Sequence, residues 1–264
     1  MMTPEEPAAE GQASGTSADQ DETRVLALLD ASRQSLAALS AAVALADDVR
    51  AELVALFVED LDLIHSAAFP FSCEVGASTG LARPLSRSDL EASLARQLQR
   101  VTQAVEAAVA GRELRHRLQV SRGRVVSEAL AQAGPGDVLV LGKAGLSARW
   151  GARLGSTSHS LILEAPCTVI IWDERHPPSP GPLRYFRGQA PRLPWGESLE
   201  EIAHDAPLFR GREELAPMGA EQLERFLARS RSGALLVSRE TLSRLIDQEP
   251  DVLARIPIPV IVVP

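Results

Sequence analysis

Short apolar runs without polar interruption recur along this chain, and a stretch with helical spacing follows the first of them. The runs cover residues 25–29, 53–58 and 138–141, each as long as a strand and far shorter than a membrane span. Between the first two, apolar residues recur at the spacing of one helix face from Leu36 to Ala46. Strands that are apolar on both faces and alternate with helices are typical of a doubly wound parallel sheet. The sequence therefore predicts an α/β fold.

The same patterning divides the chain into four segments. Residues 1–22 are acidic and almost without apolar side chains, which predicts a disordered tail. Residues 23–173 hold five predicted strands with helices between them, interrupted by an irregular excursion at 60–86. Six prolines in residues 174–196 predict a semi-rigid linker. Residues 197–264, with helical patterns near 197–204 and 219–230, are expected to form a smaller α/β unit.

Composition and charge exclude several classes of protein. The formal net charge is −8, and six of those negative charges lie in residues 1–22, so the remainder is close to −2 with no basic stripe for nucleic acid. Two cysteines are too few for a disulfide framework or a structural zinc site, and the five histidines show no metal-ligand spacing. The chain start has neither the basic nor the apolar part of a secretory signal. We expect a soluble, cytoplasmic protein with no metal site formed by its own side chains and with no membrane or nucleic-acid partner.

A glycine motif after the run at 138–141 points to phosphate chemistry. Gly142 and Gly145 lack the Cβ that would keep backbone N–H groups from an anion. Gly155 and Ser156 open the next predicted helix, where unpaired N–H groups and the helix dipole favour a phosphate. The hydroxyls of Ser156 and Thr157 can donate further hydrogen bonds. The alternative is that these glycines only make a tight connection from strand to helix.

Two more candidate residues, Asp30 and Val58, also fall at the carboxyl ends of predicted strands. Ligands of open α/β sheets bind outside these ends, at the point where the strand order reverses. We therefore expect these residues and the glycine motif to face one crevice.

The spacing G-x2-G-x9-G-[ST] resembles that of the ATP-binding universal stress proteins. The resemblance extends over about residues 24–172 and includes Asp30 with Ser32 two residues later, and Ala165-Pro166-Cys167 before the last strand. It implies a five-stranded sheet in the order 3-2-1-4-5, with an adenine nucleotide at the edge of strands 1 and 4.

By position, the resemblance implies a role for each residue of an ATP site, with Mg²⁺ as the accompanying ion. Asp30 would contact the ribose or a metal near the phosphates, and Val58 would border the adenine. Leu141 and Gly142 would line the ribose and the α-phosphate. Four residues would hold the β- and γ-phosphates: Gly145, Gly155, Ser156 and Thr157. The family often has Pro and Gly where this chain has Leu28 and Ala31, which bears on the shape of the ribose pocket.

The end of the chain repeats part of the beginning. Residues 138–147 line up with 234–243, and 165–171 line up with 256–262, in the same order and with a predicted helix between them. This predicts a partial, degenerate second copy. Ser238 takes the place of Gly142 and a negative Glu240 follows, so the copy should not bind nucleotide.

The resemblance also implies an assembly. In the family, the final strands of two domains often pair across a dimer-like interface. Residues 168–172 and 259–263 can form such a pair within one chain, as a pseudo-dimer, and a homodimer is the alternative.

The leading functional hypothesis is a regulatory ATP-binding protein of the stress response, with slow or no hydrolysis, because no nucleophile with a positioned base is recognisable. One alternative is a nucleotide-free dimerising scaffold. Another is an adenine-nucleotide hydrolase, which would need an S-G-G-x-D-S loop that residues 30–33 do not supply. Lys143 is either a phosphate-neutralising cation or an exposed loop charge.

Overall fold

A computed structural model of the chain describes residues 23–76, 79–143, 154–174, 180–188, 193 and 209–264. The acidic segment 1–22 and the predicted helix near 197–204 lie outside these residues. The first half consists of β1 (Arg24–Leu29), α1 (Arg33–Asp48), β2 (Glu52–Asp60), α2 (Leu61–Ser66), β3 (Cys73–Val75), β4 (Ala82–Pro84), α3 (Arg87–Val109), β5 (His116–Gly123), α4 (Val125–Gln132), β6 (Val138–Gly142), α5 (Ser156–Glu164) and β7 (Thr168–Trp172). The second half consists of β8 (Gly181–Phe186), β9 (Phe209–Leu215), α6 (Ala220–Leu227), β10 (Ala234–Ser238), α7 (Arg239–Gln248), α8 (Val252–Arg255) and β11 (Val260–Val263).

Nine of these strands form one sheet in the order β5-β2-β1-β6-β7-β11-β10-β8-β9. The first five are parallel to one another and follow the predicted order 3-2-1-4-5, which confirms the doubly wound arrangement. β1 lies at its centre, between β2 and β6, and the strand order reverses there. This is the position at which open α/β sheets bind ligands.

The two halves meet through an antiparallel pair of strands. β7 pairs with β11, with Ile171 opposite Val260 and Val169 opposite Val262. Every residue of both strands is buried. The pairing predicted for residues 168–172 and 259–263 is therefore observed within one chain, and it joins the halves into one sheet.

The second half contains two strands that the sequence analysis did not predict. β8 lies within the expected linker 174–196, so residues 181–186 are part of the sheet instead. Its Pro182 is accommodated where the register between β8 and β9 shifts, since a proline cannot donate to a regular ladder. β9 is an edge strand rich in charge, and only Leu215 of its described side chains is buried. Neither strand has the apolar run that identifies a central strand.

Apolar side chains cover both faces of the sheet. α1 and α3 pack on one face, around Leu39, Val43 and Val101. α4, α5 and the helices of the second half pack on the other, around Leu161, Leu223 and Leu245. No helix among the described residues is both long and apolar enough to cross a bilayer. The excursion predicted at 60–86 holds α2 and a hairpin of β3 with β4, separate from the main sheet.

Candidate functional site

A cavity of about 250 Å³ lies at the carboxyl ends of β1, β2 and β6. Its polar lining comes mainly from strand ends and from the starts of α1, α2 and α5: Asp30, Ser35, Asp60, Gln97, Gly142, Gly155, Ser156, Thr157 and Ser158. Its apolar lining comes from the strands and from α2, α3 and α4: Leu28, Leu29, Phe57, Val58, Leu63, Leu94, Val125 and Leu141. The cavity is therefore polar beside α5 and largely apolar beside β2.

Seven of the eight predicted site residues line this cavity. They are Asp30, Val58, Leu141, Gly142, Gly155, Ser156 and Thr157. The eighth, Gly145, lies outside the described residues. The structure thus brings together residues that are up to about 130 positions apart in the chain, because the sheet places their strand ends side by side.

The start of α5 has the features of an anion site. Its N-cap is Gly155, which has an extended backbone (φ −64°, ψ 146°) and no side chain to cap the helix. The first N–H groups of a helix have no partner within it, and they carry the positive end of the helix dipole. Ser156 is exposed and Thr157 half-buried, so both hydroxyls are close to solvent. Ser158 is buried and donates from Oγ to the carbonyl oxygen of Gly142 at 3.0 Å, which ties α5 to the end of β6.

Gly142 has a packing role that the sequence analysis did not foresee. A Cβ at this position would lie 2.8 Å from the carbonyl carbon of Gln34, in the first turn of α1. The backbone of Gln34 cannot shift to make room for a Cβ, as the end of a flexible side chain could. A glycine is therefore needed here for α1 to pack against β6, irrespective of any ligand.

Asp30 is held by a tight turn between β1 and α1. Its Oδ1 accepts a hydrogen bond from the N–H of Ser32 at 3.0 Å, and its own N–H donates to Ser35 Oγ at 3.3 Å. Ser32 then caps α1 by accepting from the N–H of Ser35 at 3.1 Å. Between them Ala31 has a φ of +61°, in the left-handed region that favours glycine. The chain therefore makes this turn after Asp30 with an alanine, in a backbone conformation that glycine would adopt without strain.

The apolar end of the cavity lies where β2 extends beyond β1. The ladder between them ends at Leu29 opposite Phe57, whereas the ladder of β2 with β5 continues to Asp60. Val58 is the first residue past that end. α3 contributes Leu94 and Gln97 to the wall here. Leu94 and Gln97 were not among the predicted site residues, because helical spacing identifies a buried face but not which part of it borders a cavity.

Lys143 is neither a phosphate-neutralising cation nor an exposed loop charge. The residue is 5% exposed, and its Nζ donates to Asp173 Oδ2 at 3.0 Å and to the carbonyl oxygen of Ile256. Arg149 and Arg153, the other loop cations, lie outside the described residues.

The corresponding helix start in the second half is closed by side chains. α7 begins directly after β10, and Ser238 is its N-cap, with Oγ accepting from the N–H of Thr241 at 3.3 Å. Glu240 places a negative charge in the first turn. α6, whose N-cap is Gly219, has its Ala220 N–H bonded to Gln248 Oε1 at 3.1 Å.

The site offers groups for binding rather than an assembled reactive centre. Burial raises the pKa of the Cys167 thiol to about 11, so that side chain stays protonated and behaves as a core residue. In the described ranges, no three His, Cys, Asp or Glu residues come together as a metal site. Mg²⁺ bound with a nucleotide needs only one or two protein carboxylates besides the phosphates, and Asp30 can supply one.

Comparison with known proteins finds one family whose model matches this sequence and solved structures with a similar fold. The model of the family described as "Universal stress protein family" matches residues 22–172. A solved structure of a universal stress protein from Archaeoglobus fulgidus is 14% identical, covers 91% of this chain and 95% of its own, and has a TM-score of 0.53. The universal stress protein UspA from Lactobacillus plantarum is 23% identical, with a TM-score of 0.43, and covers 58% of this chain and 99% of its own. No curated protein matches. The Archaeoglobus structure extends the likeness of fold over both halves.

Proposed function

The chain belongs to the universal stress protein family, and on that premise we propose that its first half binds ATP with Mg²⁺ while its second half binds no nucleotide. The observation that carries this proposal is the open start of α5. It has no side-chain cap and borders a cavity whose other end is apolar. A polyphosphate attached to a flat apolar base has the matching distribution of charge and polarity.

We propose that the triphosphate lies against the first turn of α5. The N–H groups that follow Gly155, with the Ser156 and Thr157 hydroxyls, are suited to the β- and γ-phosphates. Gly145 would complete this clasp from the loop that joins β6 to α5. Phosphate at a helix start gains from hydrogen bonds and from the dipole together, which favours the most negative part of the ligand there.

The base and sugar are assigned to the β1–β2 side of the same cavity. Val58 would border the adenine with its side chain and with backbone groups beyond the β1 ladder. Asp30, fixed by its bond to Ser32, would face the ribose or the magnesium ion. Leu141 and Gly142 would lie beneath the ribose and the α-phosphate.

The nucleotide is proposed as a conformational ligand rather than as a substrate. No His or Cys is present among the residues that line the described cavity. Of the two carboxylates in the lining, Asp30 accepts from the Ser32 N–H and Asp60 caps α2, and we assign neither as a base that activates water. Hydrolysis should therefore be slow or absent, and ATP should act by changing which surface a partner meets.

We further propose that the second half is a degenerate copy that serves packing. Outward from the β7–β11 junction its strands follow the order β11-β10-β8-β9. This corresponds to positions 5, 4, 1 and 2 of the first half, with the outermost strand absent. Such a copy would complete within one chain the strand pairing that a homodimer would otherwise supply.

Calorimetric titration of MgATP into the purified protein tests nucleotide binding. The wild type should bind one equivalent with micromolar affinity, and a Gly155→Val, Ser156→Val variant should lose the binding because two side chains block the clasp. Gly219→Val is the matched control: it places the same side chain at the N-cap of α6, and it should bind as the wild type does. Absence of binding in wild-type protein that carries no co-purified nucleotide would contradict the proposal and favour the scaffold.

A further inference from the structure

We propose that Lys143 is a positioning residue for the nucleotide site, through which the second half of the chain holds the start of α5 in place. The inference rests on the proposed function for its effect on ATP. Its structural part, that Lys143 anchors the N-cap of α5, is independent of any ligand.

The main chain of Lys143 connects the sheet to the proposed phosphate clasp. Its N–H donates to the carbonyl oxygen of Trp172 at 3.0 Å, which continues the β6–β7 ladder by one residue. Its carbonyl oxygen accepts from the N–H of Gly155 at 3.0 Å. The N-cap of α5 is therefore hydrogen-bonded directly to the residue after Gly142, so a displacement of Lys143 would move the helix start.

The side chain of Lys143 connects the same residue to the second half. Nζ donates to Asp173, just beyond β7, at 3.0 Å, and to the carbonyl oxygen of Ile256, which is the C-cap of α8. A helix C-terminus carries the negative end of the dipole and suits a cation. Lys143 and Asp173 are 5% and 3% exposed, respectively.

Burial makes these contacts a strong positional constraint. An ammonium group removed from water must keep its partners, because an unpaired buried charge is far less stable than a paired one. Lys143 thus cannot move away from Asp173 and Ile256 without a large loss. The second half in this way supports a cavity whose lining comes entirely from residues of the first half.

The test compares two variants of the full chain that each remove an ion pair. Lys143→Met with Asp173→Asn removes the buried pair without leaving a lone charge. Arg24→Met with Asp137→Asn removes a second pair, whose atoms are 2.5 Å apart. This pair joins the amino ends of β1 and β6, away from the carboxyl ends that border the cavity, and is remote from α5. Lys143→Gln with Asp173→Asn also leaves no lone charge, keeps polar groups that can hydrogen-bond at both positions, and provides a milder variant should the first fail to fold.

Two measurements separate positioning from a general loss of stability. In nucleotide-free protein, hydrogen exchange at the Gly155 amide should be roughly tenfold faster in the Lys143 variant, relative to the Leu36 amide in α1. Titration should show roughly tenfold weaker binding of ATP, with the affinity for adenosine within about twofold of wild type, since only the phosphate clasp is displaced. Lys143→Gln with Asp173→Asn should shift both quantities in the same direction by a smaller factor.

Two results would overturn the inference. One is a folded Lys143 variant whose Gly155 exchange and ATP affinity equal those of the Arg24 control. The other is an equal loss of affinity for ATP and for adenosine. If the wild type binds no ATP, the proposed function fails, whereas the exchange rate at Gly155 still decides whether Lys143 positions α5.

Discussion

Two strand-to-helix connections, β6 to α5 and β10 to α7, lie at corresponding places in the two halves and differ in how the helix begins. In the first, residues 143–155 separate the strand from the helix, and the N-cap Gly155 leaves the first turn without a side-chain cap. In the second, the helix begins at once, and Ser238 bonds to the N–H of Thr241.

The difference shows that capping, rather than fold, distinguishes these two connections chemically. Both connections belong to the same sheet, and both helices present the positive end of a dipole. A side-chain oxygen at the N-cap satisfies a first-turn N–H and contributes roughly a few tenths of a kcal/mol relative to glycine. α7 has that contribution, whereas α5 lacks it and keeps its first N–H groups for an anion. A fold shared by two regions therefore does not imply a shared site.

The largest effect is expected from exchanging the residues that end β6 and β10. Gly142→Ser would bring a Cβ against the backbone of Gln34, and we expect it to lower the free energy of unfolding by about 1–3 kcal/mol. Ser238→Gly should cost only a few tenths of a kcal/mol, because glycine is itself a tolerable N-cap. Urea unfolding of both variants measures the contrast. Equal losses would show that Gly142 is not required by packing.

A smaller effect, which stabilises the fold but weakens binding, is expected from giving α5 a side-chain cap, which α7 already has. Gly155→Asp should raise the free energy of unfolding by about 0.3–1 kcal/mol, since a carboxylate at a helix start favours the dipole. The same charge should weaken ATP binding by at least about tenfold, because it occupies the place of a phosphate. Gly155→Asn provides the neutral control. Tighter binding in the Asp variant would contradict the placement of the phosphates.

The smallest effect concerns the turn that positions Asp30. Ala31→Gly should raise the free energy of unfolding by about 0.5 kcal/mol, because relief of the left-handed strain outweighs the greater freedom of the unfolded chain. Arg50→Gly, at a φ of +54° after α1, is a matched control for that strain alone and should have a similar effect on stability. Thermal unfolding of the two variants checks both expectations. A destabilised Ala31→Gly protein would show that the alanine makes contacts worth more than its strain.

The sequence was informative where local pattern decides the structure. The five strands that the first half contributes to the main sheet, their order and the pairing of residues 168–172 with 259–263 followed from apolar runs and from the family resemblance, whereas β3 and β4 lie in the segment predicted as irregular. Seven residues chosen at strand ends and at one helix start line one cavity, because parallel strands bring their carboxyl ends to the same edge.

The sequence was uninformative where packing between distant segments decides. β8 contains Pro182, and β9 is a charged edge strand, so neither has the pattern of a buried strand. Gln97 reaches the cavity only because α3 crosses that end of the sheet. The burial of Lys143 depends on Asp173 and on a carbonyl of the second half, and nothing in the glycine motif itself indicates either.

The most direct test of the difference between the halves is hydrogen exchange at both helix starts, with and without MgATP. We expect slower exchange at the amides of Ser156, Thr157 and Ser158 on adding nucleotide, and no change at Glu240 and Thr241 in α7. Equal protection at both helix starts, or none at α5 under conditions where calorimetry detects binding, would contradict it.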